Sequence, residues 1–321
     1  MYRMRIIAIA MFALTTGTCQ ARSYPDRPIH IIVPYSAGGV LDTLTRAVAE
    51  GLRPILGQPL IVDNRPGAST SIGLRVCAAA PADGYTFCGI NFESFAIVPH
   101  FDPALFERYS SLQPVTQYVS TGGVIYAHAS VPAKDLREFI DLARTKPNEM
   151  SYSSFGPGTS PQLIFEWLKK KEGIELVHVP FRGANDALNE VVSGRIQVSY
   201  IATGFIMQHL NAGTLKALAV LGDERSPLLP AAPSLGELGL PFPYKAAWFG
   251  LAAPARTPAV ITEMIAAALD KVVHDPNFKA KFLLPQGFVP VGNTPQEFAA
   301  VVKNDHASGG EIMRLIGLIK S

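Results

Sequence analysis

An apolar run that drives into a glycine turn and then an amphipathic segment constrains this chain most. It reads His30-Ile31-Ile32-Val33-Pro34-Tyr35-Ser36-Ala37-Gly38-Gly39, followed by Val40 to Leu56. Residues 30–35 read as a strand. Beyond the turn, Val40, Leu44, Val48 and Leu52 recur at helical spacing and put one face in a core. A strand feeding a helix through so short a turn is the unit of an α/β layer. It leaves the unpaired N–H groups and positive dipole end of the helix facing a loop that a ligand can approach closely, since Gly38 and Gly39 carry no Cβ. Such a place suits a carboxylate or a phosphate. Ser36 adds a hydroxyl and Asp42 complements the dipole, although a tight turn that binds nothing would use the same residues.

The arrangement recurs at Tyr152-Ser153-Ser154-Phe155-Gly156-Pro157-Gly158-Thr159-Ser160-Pro161. Thr159 or Ser160 can cap the following helix, with Gln162 at capping-box spacing. Gly156 and Gly158 are less needed for a cap than for close approach to a ligand. A third turn, Pro180-Phe181-Arg182-Gly183-Ala184-Asn185-Asp186, emerges beside it; Asn185 or Asp186 would cap its helix, and Arg182 could pair with a carboxylate or lie in solvent. Around these turns, short β-rich runs alternate with amphipathic segments throughout. A chain of this length suits two lobes rather than one core. We expect residues 1–21 as a leader, 22–118 with 222–321 as a discontinuous first lobe, and 119–221 as the second. Near the end, helices are expected over 295–305 and 311–319. The proline-punctuated stretch 227–258 reads as a long surface connection.

Arg3 and Arg5, the apolar residues 6–14 and the small and polar residues 15–21 follow the order of a secretory signal peptide, with cleavage expected near Ala21. A lipoprotein reading through Cys19 fits its neighbours poorly. The mature protein is thus expected to be exported. With Arg3 and Arg5 removed, 26 basic residues balance 26 acidic ones. A neutral chain without basic runs argues against nucleic acid as a partner. Two cysteines then remain, Cys77 and Cys88. In an oxidising compartment they suit a disulfide, and two buried thiols fill the same positions equally well.

Enzymatic motifs are absent from the sequence. There is no Gly-x-Ser-x-Gly elbow, no His-Glu-x-x-His, and the seven histidines lack metal-ligand spacing. The Gly-x-Gly at 156–158 lacks the third glycine of a dinucleotide fingerprint. Neither a cofactor nor a metal is expected. A secreted serine hydrolase using Ser36 or Ser160 is the remote rival, without a base of definable placement.

These residues resemble the solute-binding receptors of tripartite tricarboxylate transporters, the Bug-type proteins. The likeness is carried by Tyr24-Pro25 to Pro28, Val33-Pro34-Tyr35-Ser36-Ala37-Gly38-Gly39 with Asp42, Gly57-Gln58, and Asn64-Arg65-Pro66-Gly67-Ala68. It continues through Pro81-Ala82-Asp83-Gly84-Tyr85-Thr86, His178-Val179-Pro180-Phe181-Arg182-Gly183, Trp248-Phe249-Gly250-Leu251 and Ala253-Pro254. The resemblance implies a type II periplasmic-binding-protein fold, two α/β lobes with a ligand cleft between them. It implies a non-catalytic, monomeric receptor that passes a small carboxylate-bearing solute to one large and one small membrane subunit; a receptor reporting to a membrane sensor is the alternative. Carried onto this chain, the ligand-binding set is Ser36, Ala37, Gly38, Gly39 and Asp42 on one side. Ser154, Gly156, Thr159, Ser160, Phe181, Gly183 and Thr203 stand on the other, with Asn91 and Ser94 lining the variable part. Ser36-Ala37 stands where relatives have Pro-Pro, Gln162 where many have histidine, and Ala202-Thr203 lacks a common aspartate or asparagine. Glu93, as a loop residue, is expected in solvent.

Overall fold

The computed structural model describes residues 24–67, 70–101, 111–181, 183–244 and 246–319. The expected leader with its cleavage point, Ala68, and Arg182 lie outside the described residues.

Two mixed α/β sheets are built on one plan. In the first, strands β1 (Ile29–Val33), β2 (Leu60–Asn64) and β3 (Thr86–Asn91) are parallel, and β10 (Ala247–Pro254) joins antiparallel between β3 and β4 (Leu112–Thr121). The order is β11-β4-β10-β3-β1-β2, with β11 (Phe288–Pro290) at the edge. In the second, β6 (Ser151–Ser154), β7 (Val177–Pro180) and β8 (Val198–Ala202) are parallel, and β5 (Gly123–His128) joins antiparallel between β8 and β9 (Leu215–Val220), giving β7-β6-β8-β5-β9. Each sheet thus runs second, first, third parallel strand and then an antiparallel one. The antiparallel strand of each is reached directly from the other sheet, since β5 follows β4 across Gly122 and β10 follows β9. The carboxyl ends of parallel strands are where open α/β sheets hold ligands.

Helices cover the sheets. On the first, α1 (Val40–Leu56) buries Leu41, Leu44, Val48 and Leu52 against Ile29, Ile31, Val33 and Phe87. It ends at Gly57, whose left-handed φ of 67° lets its N–H reach Arg53 O. On the opposite face α2 (Ser71–Ala78) brings Leu74 and Cys77 onto Cys88 and Ile90. Cys77 and Cys88 are joined, with Cα atoms 6.0 Å apart. Replacing both by serine should lower stability by about 3 kcal/mol, the loop-closure value for a link of this span. An unchanged denaturation midpoint would show that the bond constrains nothing. On the second sheet lie α3 (Leu136–Thr145), α4 (Ser160–Glu172) and α5 (Ala184–Val192); α6 (Ala259–His274) and α7 (Pro295–Ile316) complete the first.

Two expectations are corrected here. Residues 295–316 form one helix running through Gly309 and Gly310, where two helices, 295–305 and 311–319, were expected. A Cβ on Gly309 would stand 2.2 Å from Ala96 O, so the glycine serves close approach to the turn after β3. The stretch expected on the surface also packs inward. Val220 bridges Ser234, and Leu235, Leu240, Phe242 and Tyr244 are buried. From it an aromatic row connects the sheets: Trp167 on α4 meets Phe242 at 5.1 Å, Phe242 meets Tyr244 at 4.7 Å, and Tyr244 meets Phe92 at 4.4 Å. Phe92 then lies 6.4 Å from Trp248, which meets Phe298 at 5.0 Å. The passages between sheets fall at Gly122 and over residues 221–246, against the expected boundaries at 118/119 and 221/222. Among the described residues no helix is long and apolar enough to cross a membrane.

Candidate functional site

Three helix starts carry the expected ligand loops, and each follows a parallel strand. Helix α1 begins after Gly39, α4 after Thr159 and α5 after Gly183, none with a side-chain cap. By contrast α3 is capped by Asp135, and α7 by a full capping box between Thr294 and Glu297. Since α2 and α6 also start without a side-chain cap, the missing cap alone marks nothing. The loops before α1, α4 and α5 stand, like the one before α2, at the carboxyl ends of parallel strands, where their free N–H groups can meet a ligand.

In the first loop Ser36, Ala37, Gly38 and Gly39 are exposed, and a Cβ on Gly38 would meet nothing within 4 Å. Gly38 takes φ of 81°, a conformation glycine adopts without strain. Asp42 departs from the expected ligand-facing role. It is 3 % exposed and turns back on its own loop, accepting from Gly38 N at 2.8 Å, Asn64 Nδ2 at 2.9 Å and Arg46 Nε at 3.0 Å. Burial pushes its carboxyl up, but the bonds from Arg46, Gly38 and Asn64 outweigh it and hold the group below its ordinary 3.8. A depressed carboxyl stabilises above its unfolded pKa, and that contribution fades as pH falls through the folded value. Asp42→Asn should cost about 2 kcal/mol at neutral pH, with the gap to wild type closing in acid below the ordinary value. A gap that persists there would remove the charge from the explanation.

The second loop is braced from within. Ser154 Oγ lies 2.7 Å from His178 Nε2 and receives Gly156 N at 3.2 Å; Thr159 Oγ1 donates to Gly156 O at 2.7 Å. Gln162 Oε1 accepts from Gly158 N at 2.7 Å, in place of the expected reciprocal capping box. His178 stacks on Tyr152 at 4.8 Å, and burial pushes its imidazole down, so the neutral ring is the one that meets Ser154. A serine beside a neutral histidine has the outline of a nucleophile and its base. Ser154 is fully buried, however, and its oxygen already serves the backbone of Gly156, so the pair shapes the glycine loop. Phe181 continues this wall, its N–H on Ser154 O and its carbonyl 3.7 Å from where a Gly156 Cβ would be; Gly183 follows as the cap of α5.

A hydrogen-bond chain missed by sequence reasoning spans the two sheets. Tyr35 Oη donates to Asn91 Oδ1 at 2.9 Å, Asn91 Nδ2 to Glu93 Oε2 at 2.7 Å, and Ser160 Oγ to Glu93 Oε1 at 2.8 Å. Ser94 N also donates to Asn91 Oδ1, which fixes the amide orientation, and Ser94 Oγ donates to Asn91 O. Residues 93–97 form a π-helical turn, and Glu93 is half-buried within it, contrary to the solvated position expected. Burial pushes its carboxyl up. The chain therefore brings Asn91, Ser94 and Ser160 together and ties the first loop to the second helix start. Thr203 stands apart, buried at the end of β8 against Gly287, with its N–H on Gly122 O. Beside it a cavity of about 250 Å³ lies between Gly38, Val40 and Leu44 on one side and Phe205, Lys281, Phe282 and Gln286 on the other. Among the described residues no group of three or more potential metal ligands occurs.

Comparison with known proteins agrees with this architecture. The sequence profile described as "Tripartite tricarboxylate transporter family receptor" (TctC) matches residues 44–318. A UPF0065 protein of Bordetella pertussis is 30% identical over 315 residues, covering 98% of this chain and 97% of that protein. The periplasmic binding protein BugD superposes with a TM-score of 0.80 at 27% identity, over 93% of this chain and 100% of its own. Rpa4515 of R. palustris with adipate gives 0.81 at 28% identity, over 92% and 98%. The fold is that of a periplasmic binding protein, two α/β lobes around a cleft, and the Bug-type resemblance carried by the glycine turns extends along nearly the whole chain. This chain belongs to the tripartite tricarboxylate transporter receptor family, and it is a solute-binding receptor.

Proposed function

We propose that this receptor captures a small carboxylate-bearing solute between its lobes, in the periplasm, and delivers it without chemical change to a transporter of one large and one small membrane subunit. One observation carries the reading: uncapped helix starts behind glycine turns stand at the carboxyl ends of parallel strands in both sheets. Backbone N–H groups there offer hydrogen bonds and a positive dipole end to an anion, with no need for a cationic side chain. The binding set is residues 36–39 on one lobe, with Gly156, Thr159, Ser160, Phe181 and Gly183 on the other and Asn91 and Ser94 between. The relative with adipate bound supports a carboxylate as the ligand class. Closure of the lobes on the ligand would create the surface that docks on the transporter.

The test is a thermal-shift screen of mature, ligand-stripped protein against mono-, di- and tricarboxylates and amino acids. A ligand that binds only the folded state at about a hundred times its Kd adds roughly 2.7 kcal/mol of stability, which a melting curve registers plainly. Folded protein whose melting temperature no acid raises would sink the assignment.

A further inference from the structure

The chemistry of the cleft beyond the carboxylate turns centres on Glu93. Both of its oxygens are occupied by neutral donors, Asn91 Nδ2 at 2.7 Å and Ser160 Oγ at 2.8 Å. Among the described residues no arginine, lysine or histidine forms an ion pair with it. The groups packed around it are the side chains of Tyr200 and Tyr244, each 4 % exposed, and burial pushes both phenols up so that they stay neutral. The Tyr244 hydroxyl is buried beside Ser160 and makes no hydrogen bond of ordinary geometry. Burial disfavours the charged form of this carboxyl, and neutral donors on both oxygens without a counter-charge leave that cost unbalanced. A second ligand carboxylate arriving there would meet like charge in a low-dielectric site, whereas an ammonium would supply the missing cation.

We propose that Glu93 determines the specificity of the cleft by pairing with an ammonium group on the solute, so that this receptor takes amino acids in preference to plain dicarboxylates. The inference rests on the carboxylate reading above: the solute's carboxylate lies at the glycine turns and its nitrogen reaches Glu93, leaving Tyr244 as a further polar contact.

The experiment is calorimetric titration of the mature, ligand-stripped protein with matched pairs that exchange one carboxylate for an ammonium. The pairs are succinate and 3-aminopropanoate, glutarate and 4-aminobutanoate, and adipate and 5-aminopentanoate, with a panel of α-amino acids alongside. The expected result is that the tightest ligand is an amino acid, at least 100-fold ahead of the dicarboxylate of its length. Glu93→Gln, which keeps the size and can keep both hydrogen bonds, should cut that lead at least 100-fold while leaving the dicarboxylate unchanged or tighter. Dicarboxylates that equal or exceed their amino partners on the wild-type protein would overturn the inference and leave the carboxylate reading standing. A lead unchanged in Glu93→Gln would do the same. The wild-type comparison decides the matter even if the variant does not fold. If neither kind of acid binds, the carboxylate reading itself fails and the inference falls with it.

Discussion

Gly309→Ala is expected to destabilise the protein by about 3 kcal/mol, the upper part of the usual overpacking range, and so to lower its melting temperature by roughly 6 °C. The sign is what makes the experiment informative. On an exposed helix, exchanging glycine for alanine stabilises by about 1 kcal/mol through backbone entropy. Here the new methyl would sit 2.2 Å from Ala96 O and 3.0 Å from Ala96 C, atoms of the π-helical turn that have no rotamer through which to escape. Helix α7 would have to move away from residues 93–97, loosening contacts around Phe298, Ile312 and Met313, which are fully buried. The neighbouring Gly310→Ala supplies the control. Its methyl would meet the His100 ring at 2.7 Å, and a side chain can swing where backbone cannot. We expect the second variant to lose less than half as much. A melting temperature for Gly309→Ala equal to or above wild type would remove close approach as the reason for the glycine pair.

Gly204→Ala is expected to act on ligand binding instead. Gly204 follows β8 in the second sheet, and its methyl would lie 2.1–2.2 Å from the backbone of Gln286, which precedes β11 in the first. The clash is therefore between lobes, and separating them relieves it with each core intact. If about 3 kcal/mol of strain falls on the closed form alone, affinity drops by roughly 100-fold. The acid that stabilises the wild type most would be titrated into the variant, and the radius of gyration compared by small-angle scattering. Weaker binding with a larger radius and unchanged helix content is the expected result. A lowered melting temperature with unaltered affinity would instead make the contact a static part of the fold.

Much of the fold was legible because its signals are local. The Ile31-Ile32-Val33 run, the double glycine and the spacing of Leu44, Val48 and Leu52 each act within a turn or two of chain, and the motifs of the resemblance lie in order along it. What escaped depends on residues far apart. The setting of Glu93 is made by Ser160, 67 positions away, and by Tyr200 and Tyr244, so no window around residue 93 contains it. Gly309 and Gly310 read as a helix stop by propensity, and tertiary contact with Ala96 and His100 overrides that preference. Asp42 was placed at the right helix start but facing the wrong way, because Asn64 reaches it only after β2 pairs with β1, joining Arg46 one turn along the same helix. The stretch before β10 did hold a readable signal. Leu240, Phe242 and Tyr244 alternate with Pro241 and Pro243, the period of an extended segment with one face buried, and the prolines drew attention from it.

The aromatic row between the sheets has an experimental consequence. The chain has only two tryptophans, and both belong to that row, Trp167 on the second lobe and Trp248 on the first. Emission from an indole depends on the polarity and the quenchers around it, and here each ring is pressed edge-on against a phenyl ring, with Trp248 Nε1 also held 2.7 Å from Asp305 Oδ2. A change in the angle between the lobes must shift the stacking of Phe242, Tyr244 and Phe92 between them. The protein thus carries its own optical gauge of opening and closing, and stopped-flow fluorescence can time the movement without an attached dye.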